Sequence, residues 1–76
     1  MSVVDQKDIG DFRVTREECG SGTQVVTVYN TAANYDVLER LEYADDDSEE
    51  RARGEFYILC NIIGYVASHY TDGGVS

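Results

Sequence analysis

The chain contains no proline, no tryptophan, one histidine, two cysteines and only six basic residues among 76. Each scarcity removes a class of function. A single histidine, His69, builds neither a catalytic triad nor a histidine-rich metal site without strong companions. Cys19 and Cys60 are far apart and lack the C-x-x-C spacing of a zinc ligand pair, so no cofactor or metal is expected. With 15 acidic residues against six basic ones the formal charge is −9. Direct binding to a nucleic acid is therefore not expected, because that affinity comes from Lys and Arg displacing counterions. An anionic membrane surface is disfavoured for the same reason. The longest apolar stretch, Phe56 to Ala67, is broken by Asn61 and Gly64 and is too short to span a bilayer.

The first residues, Met1 to Asp5, have neither a basic start nor a long apolar run, so no signal peptide is expected. The cytoplasm is the expected compartment. Thiols there stay reduced, and Cys19 and Cys60 read as two small buried apolar side chains, with a bond between them as the alternative.

Seventy-six residues make one domain, 1–76. A chain of this size buries only about 60% of its unfolded surface, and it often needs a staple, a metal or a partner. Residues 1–8 read as polar and loose, and 72–76 as a frayed tail. Phe12-Arg13-Val14-Thr15 alternates and predicts a strand with Phe12 and Val14 on one face. Gly20-Ser21-Gly22 then leads into the β-branched run Thr23 to Tyr29, and the two runs predict a β-hairpin. Residues 35–44 admit two readings. Leu, Glu and Arg favour helix. The length of the segment and the need of a hairpin for a third strand favour strand, with Val37, Leu41 and Tyr43 on one face.

Asp47, with Glu50 three residues on, predicts a capping box opening a helix from about Ser48 to Tyr70. The acids there face the positive end of the helix dipole. Along this helix Ala52, Phe56, Leu59, Cys60, Ile63, Ala67 and Tyr70 form a broad stripe suited to a sheet. Ile58, Ile62 and Tyr65 form a second stripe that a small sheet cannot also cover. Something is expected to dock there: a second copy in a homodimer or another protein, with the chain's own N-terminal residues or residues 31–36 folding over the stripe as the alternative. Gly64, inside the helix, is a candidate point for close backbone approach. The fold expected is α+β, a three-stranded antiparallel sheet packed on one long C-terminal helix.

No enzyme signature is present. Asp45-Asp46-Asp47 with Glu49 and Glu50 lacks the alternation and the glycine of a calcium loop. Gly20-Ser21-Gly22 is not followed by the Gly-Lys of a phosphate loop. The six tyrosines suit a protein interface. Between Asp36 and Glu55 lie nine acids and three arginines. Glu42, Asp45, Asp46, Asp47, Glu49 and Glu50 are a candidate acidic flank for a basic partner, and carboxylates at phosphate-like separations can occupy a nucleic-acid groove.

Gly10-Asp11-Phe12-Arg13-Val14, the glycine hairpin, and Asp46-Asp47-Ser48-Glu49-Glu50-Arg51-Ala52-Arg53 entering an apolar helix together resemble small acidic accessory proteins of bacteriophages. The likeness is one of pattern over the whole chain, and the run Phe56-Tyr57-Ile58-Leu59-Cys60 departs from it. That class includes anti-CRISPR and anti-restriction inhibitors. The resemblance implies a protein-binding module inhibiting a basic, nucleic-acid-handling host complex. A structural or regulatory homodimer joined through its helix is the alternative.

Overall fold

The computed structural model describes the backbone of residues 2–73 and the side chains of residues 2–68. In chain order the elements are β1 (Ser2–Ile9), β2 (Phe12–Glu18), β3 (Gln24–Asn30), a 3-10 turn (Thr31–Ala33), β4 (Asp36–Tyr43) and α1 (Ser48–Gly73). The strands form one antiparallel sheet in the order β1-β2-β3-β4, and α1 crosses one face. The fold is α+β as expected, with four strands where the sequence suggested three.

The additional strand is β1, in the segment read as loose. Its apolar residues are sparse, and it is attached by its backbone ladder to β2 together with two cross-strand ion pairs. Asp5 lies opposite Arg16 and Asp8 opposite Arg13. Arg16 donates from Nε to Asp5 at 2.8 Å, and Arg13 from Nε to Asp8 at 2.6 Å. The β1–β2 connection is a two-residue turn in which Gly10 takes φ +58°, a conformation open to a residue without Cβ. The β2–β3 hairpin turns through Cys19 to Thr23, where Cys19 N–H donates to the Thr23 carbonyl at 2.8 Å.

Residues 35–44 resolve to strand, since β3 can pair on its second edge only if β4 is extended. The register places Glu39, Leu41 and Tyr43 on the helix side, opposite Val28, Val26 and Gln24. A bulge at Leu38 then turns Val37 to the other face, opposite Tyr29. Val37 therefore does not share a face with Leu41 and Tyr43. Before the strand, Asn34 and Tyr35 both have left-handed φ, 63° and 62°. For tyrosine this is a strained conformation, costing about 1–2 kcal/mol. The Arg13 guanidinium sits 5.3 Å over the Tyr35 ring and helps offset it.

Val14, Val26 and Val28 on the sheet and Ala52 and Phe56 on α1 form the core, with Tyr43, Leu59, Cys60 and Ile63 packed around it. The expected inner stripe is thus in place, apart from Tyr70, whose side chain lies outside the described residues, as does that of His69. Helix and strands differ in length. Twenty-six residues of α1 span about 39 Å at ~1.5 Å per residue. Eight residues of β4 span about 26 Å at ~3.3 Å per residue. Ser48 Oγ donates to the Gly22 carbonyl at 2.9 Å, which fixes the start of α1 under the β2–β3 turn. Ala67 lies against Gly10 at the far end of the sheet. The remaining turns of α1 extend beyond the sheet, past the stop expected before Gly73. Of the tail expected at 72–76, residues 74–76 lie outside the described residues.

The helix start differs in one detail. Arg51 N–H donates to the Asp47 carbonyl at 3.0 Å, so Asp47 holds the N-cap position. Its carboxylate lies 3.9 Å from Arg51, which is itself bonded to Asp45, and does not close a capping box with Glu50.

Candidate functional site: an apolar flank beside an acidic helix start

Two surfaces follow from this arrangement. The first is the flank of α1 that faces the β4 side. Arg51 lies 5.3 Å over the Tyr43 ring, and burial, followed by the nearby Glu55 carboxylate, pushes the Tyr43 hydroxyl above its ordinary pKa, so both residues sit beside β4. Continuing from Arg51 and Glu55 by steps of three and four residues gives Ile58, Ile62 and Tyr65, one continuous stripe. Ile58 is 52% exposed, Ile62 51% and Tyr65 66%. Val37 and Leu38, at the start of β4, are about half exposed as well. The N-terminal residues do not fold over the stripe. The N-terminal segment is committed to β1, on the opposite flank, where Lys7 and Ile9 meet Phe56, Tyr57 and Cys60 across an open groove of about 330 Å³. Gly64 borders that groove, and a Cβ there would meet nothing within 4 Å, so among the described residues no other backbone approaches it.

The second surface is the acidic flank. Asp46, Asp47, Glu49 and Glu50 line a shallow depression with Arg53 at the helix start. All three arginines of the segment are paired inside it. Arg51 reaches Asp45 at 2.6 Å, Arg53 reaches Glu49 at 2.7 Å and Arg40 reaches Glu42 at 2.7 Å. Glu42, on the sheet face away from the helix, is thereby set apart from the helix-start acids. Four of the six flank carboxylates, Glu42, Asp45, Asp47 and Glu49, have an arginine within 4.0 Å and are partly neutralised, which leaves a local acidic cap at the helix start and no phosphate-like row. Among the described residues no three His, Cys, Asp or Glu side chains converge in a way that could hold a metal ion.

Sequence reasoning missed a polar cluster at the helix-side edge of the sheet. The Arg16 side chain is only 8% exposed. It donates from Nη1 to Gln24 Oε1 at 2.9 Å as well as to Asp5, and Gln24 Nε2 in turn donates to Glu18 at 3.1 Å. Alternation along β2 was the available signal, since Arg16 falls in phase with Phe12 and Val14. On the opposite face Thr15 and Thr27 stand across from each other, buried, and Thr15 Oγ1 has no hydrogen-bond partner. Cys19 and Cys60 are both free and half-buried, and desolvation raises the Cys60 thiol above its ordinary pKa.

No helix among the described residues is long and apolar enough to cross a membrane. Comparison with protein-family models, with curated proteins and with solved structures finds no match.

Proposed function

We propose that this chain is a protein-binding module whose docking surface is the apolar flank of α1. One observation carries the reading: Ile58, Ile62 and Tyr65 stand at helical spacing along one flank of α1 and are each at least half exposed. Covering a fully exposed side chain of this kind gains roughly 1.5–3 kcal/mol, so each half-exposed isoleucine leaves about 1 kcal/mol to be gained from a partner. In so small a domain that is a large share of total stability.

The acidic cap at the helix start plays a second part. Clustered carboxylates steer a basic surface toward the molecule and speed encounter. Inhibition of a basic, nucleic-acid-handling host complex is the sharpest form of this reading. The cap supports it by its charge, while the internal arginine pairs favour steering over mimicry of a nucleic-acid backbone.

A photo-cross-linking residue introduced at position 62 in living cells tests the reading. The expected result is a discrete adduct, lost when Ile58→Glu is added. The absence of any adduct, with this chain or another protein, contradicts it.

A further inference from the structure

We infer that the partner on this flank is a second copy of the chain, joined edge to edge along β4 about a two-fold axis at Leu41. The inference rests on the proposed docking role of the flank and names its occupant. β4 is a sheet edge, and its outward N–H and C=O groups are a template for another strand. The other edge, β1, carries a bulge between Val3 and Asp5 and lies on the far side of α1, where pairing would leave the stripe uncovered.

Symmetry and charge together select the register. A two-fold axis perpendicular to a sheet relates opposed residues that point to the same face, so one residue must face its own copy. Centred on Glu39, the register sets Glu39 against Glu39 and Asp36 against Glu42 of the second copy. Centred on Arg40, it opposes two arginines. Centred on Leu38, it runs through the bulge, where the strand is irregular. Centred on Leu41, it uses the unbroken segment Glu39–Tyr43. Arg40 then faces the second copy's Glu42, twice by symmetry, and Glu39 faces its Tyr43. Opposite charges directly across a strand pair stabilise it and like charges oppose it.

The two faces of this seam are consistent with the rest of the molecule. Leu41 is on the helix side, opposite Val26, so the axial leucine pair lies on the face that carries both helices. The flanks bearing Ile58 and Ile62 turn toward each other over it. Arg40 and Glu42 are on the other face, already paired at 2.7 Å within one strand, and would extend into a four-member ladder across the axis.

Sedimentation velocity on the full-length chain and its charge variants is the test. The wild type is expected to sediment as a dimer. Arg40→Glu and Glu42→Arg each place like charges across the seam and should raise the dissociation constant about tenfold or more. The double exchange Arg40→Glu/Glu42→Arg should restore the dimer. Both side chains are exposed, and far-UV circular dichroism verifies that each variant is folded. In a second arm, Leu41→Cys should cross-link copies under mild oxidation while the wild type does not, since opposed Cα atoms about 4.5–5.5 Å apart fall within disulfide range.

A wild type that stays monomeric at high concentration overturns the inference. So does a dimer indifferent to all three charge variants and broken only by Ile62→Glu, which would place the second copy on the helix alone. A monomer whose position-62 adduct in cells contains a different protein overturns this inference and leaves the docking role standing; no adduct overturns both.

Discussion

Removing the carboxylate that Arg16 faces should cost more than removing Arg16 itself. The guanidinium is nearly dry and is held by Asp5 on the edge strand and by the Gln24 amide. Asp5→Asn leaves that charge buried with its ionic partner gone. Breaking a fully buried pair this way costs about 3–5 kcal/mol, and the 40% exposure of the Asp5 side chain lets water recover part of it, leaving ~2 kcal/mol. Arg16→Met keeps the apolar stem over the sheet and removes the buried charge, while Asp5 turns to solvent. Its expected cost is below ~1 kcal/mol. Urea unfolding followed by far-UV circular dichroism reads the difference. With a slope of ~1–2 kcal/mol per molar, Asp5→Asn should lower the midpoint by about 1–2 M and Arg16→Met by much less. Equal losses, or a larger loss for Arg16→Met, would refute the argument that the desolvated charge governs this cluster.

Other outcomes follow from the same geometry. Gly10→Ala combines a left-handed backbone with a new Cβ 3.4 Å from that of Ala67, and thermal unfolding should show a loss of about 1–2 kcal/mol. The Arg13 guanidinium holds Asp8 below its ordinary pKa. Since the folded value is the lower one, the pair's contribution is complete above the unfolded value and disappears as pH falls through the folded one. An NMR titration should find the Asp8 carboxyl midpoint below 3.8 and return it there in Arg13→Gln. Burial raises the Cys60 thiol, so alkylation of the native protein near neutral pH should be slow at Cys60 and become fast on unfolding in urea.

The hairpin and the helix were legible because their signals are local. Thr23 to Tyr29 is dense in β-branched residues, and Ala52, Phe56, Leu59, Cys60 and Ile63 repeat at helical spacing. β1 was not legible, because Asp5-Gln6-Lys7-Asp8 breaks any apolar alternation. The acids that break the alternation pair with Arg13 and Arg16, which are matched to them only once the register is known. The bulge at Leu38 leaves no mark in the sequence, and it displaced Val37 from its expected face. Glu50 stands at the spacing of a capping box, yet Asp47 caps through its backbone carbonyl alone. The exposed stripe was readable from spacing alone, because the helix is apolar over more of its circumference than a four-stranded sheet can cover. The arginine pairs that subdivide the acidic flank required the three-dimensional placement of Arg40, Arg51 and Arg53.

The most direct test of the docking surface is solvent accessibility at Ile58 and Ile62 measured by NMR with a soluble paramagnetic probe, in dilute solution, in concentrated solution and in cell extract. Tyr57, exposed on the other flank of α1, serves as the internal reference. The account predicts that both isoleucine methyl signals are bleached in dilute protein and become protected on concentration or in extract, while Tyr57 stays bleached. Isoleucine signals that remain as accessible as Tyr57 under all three conditions would contradict it.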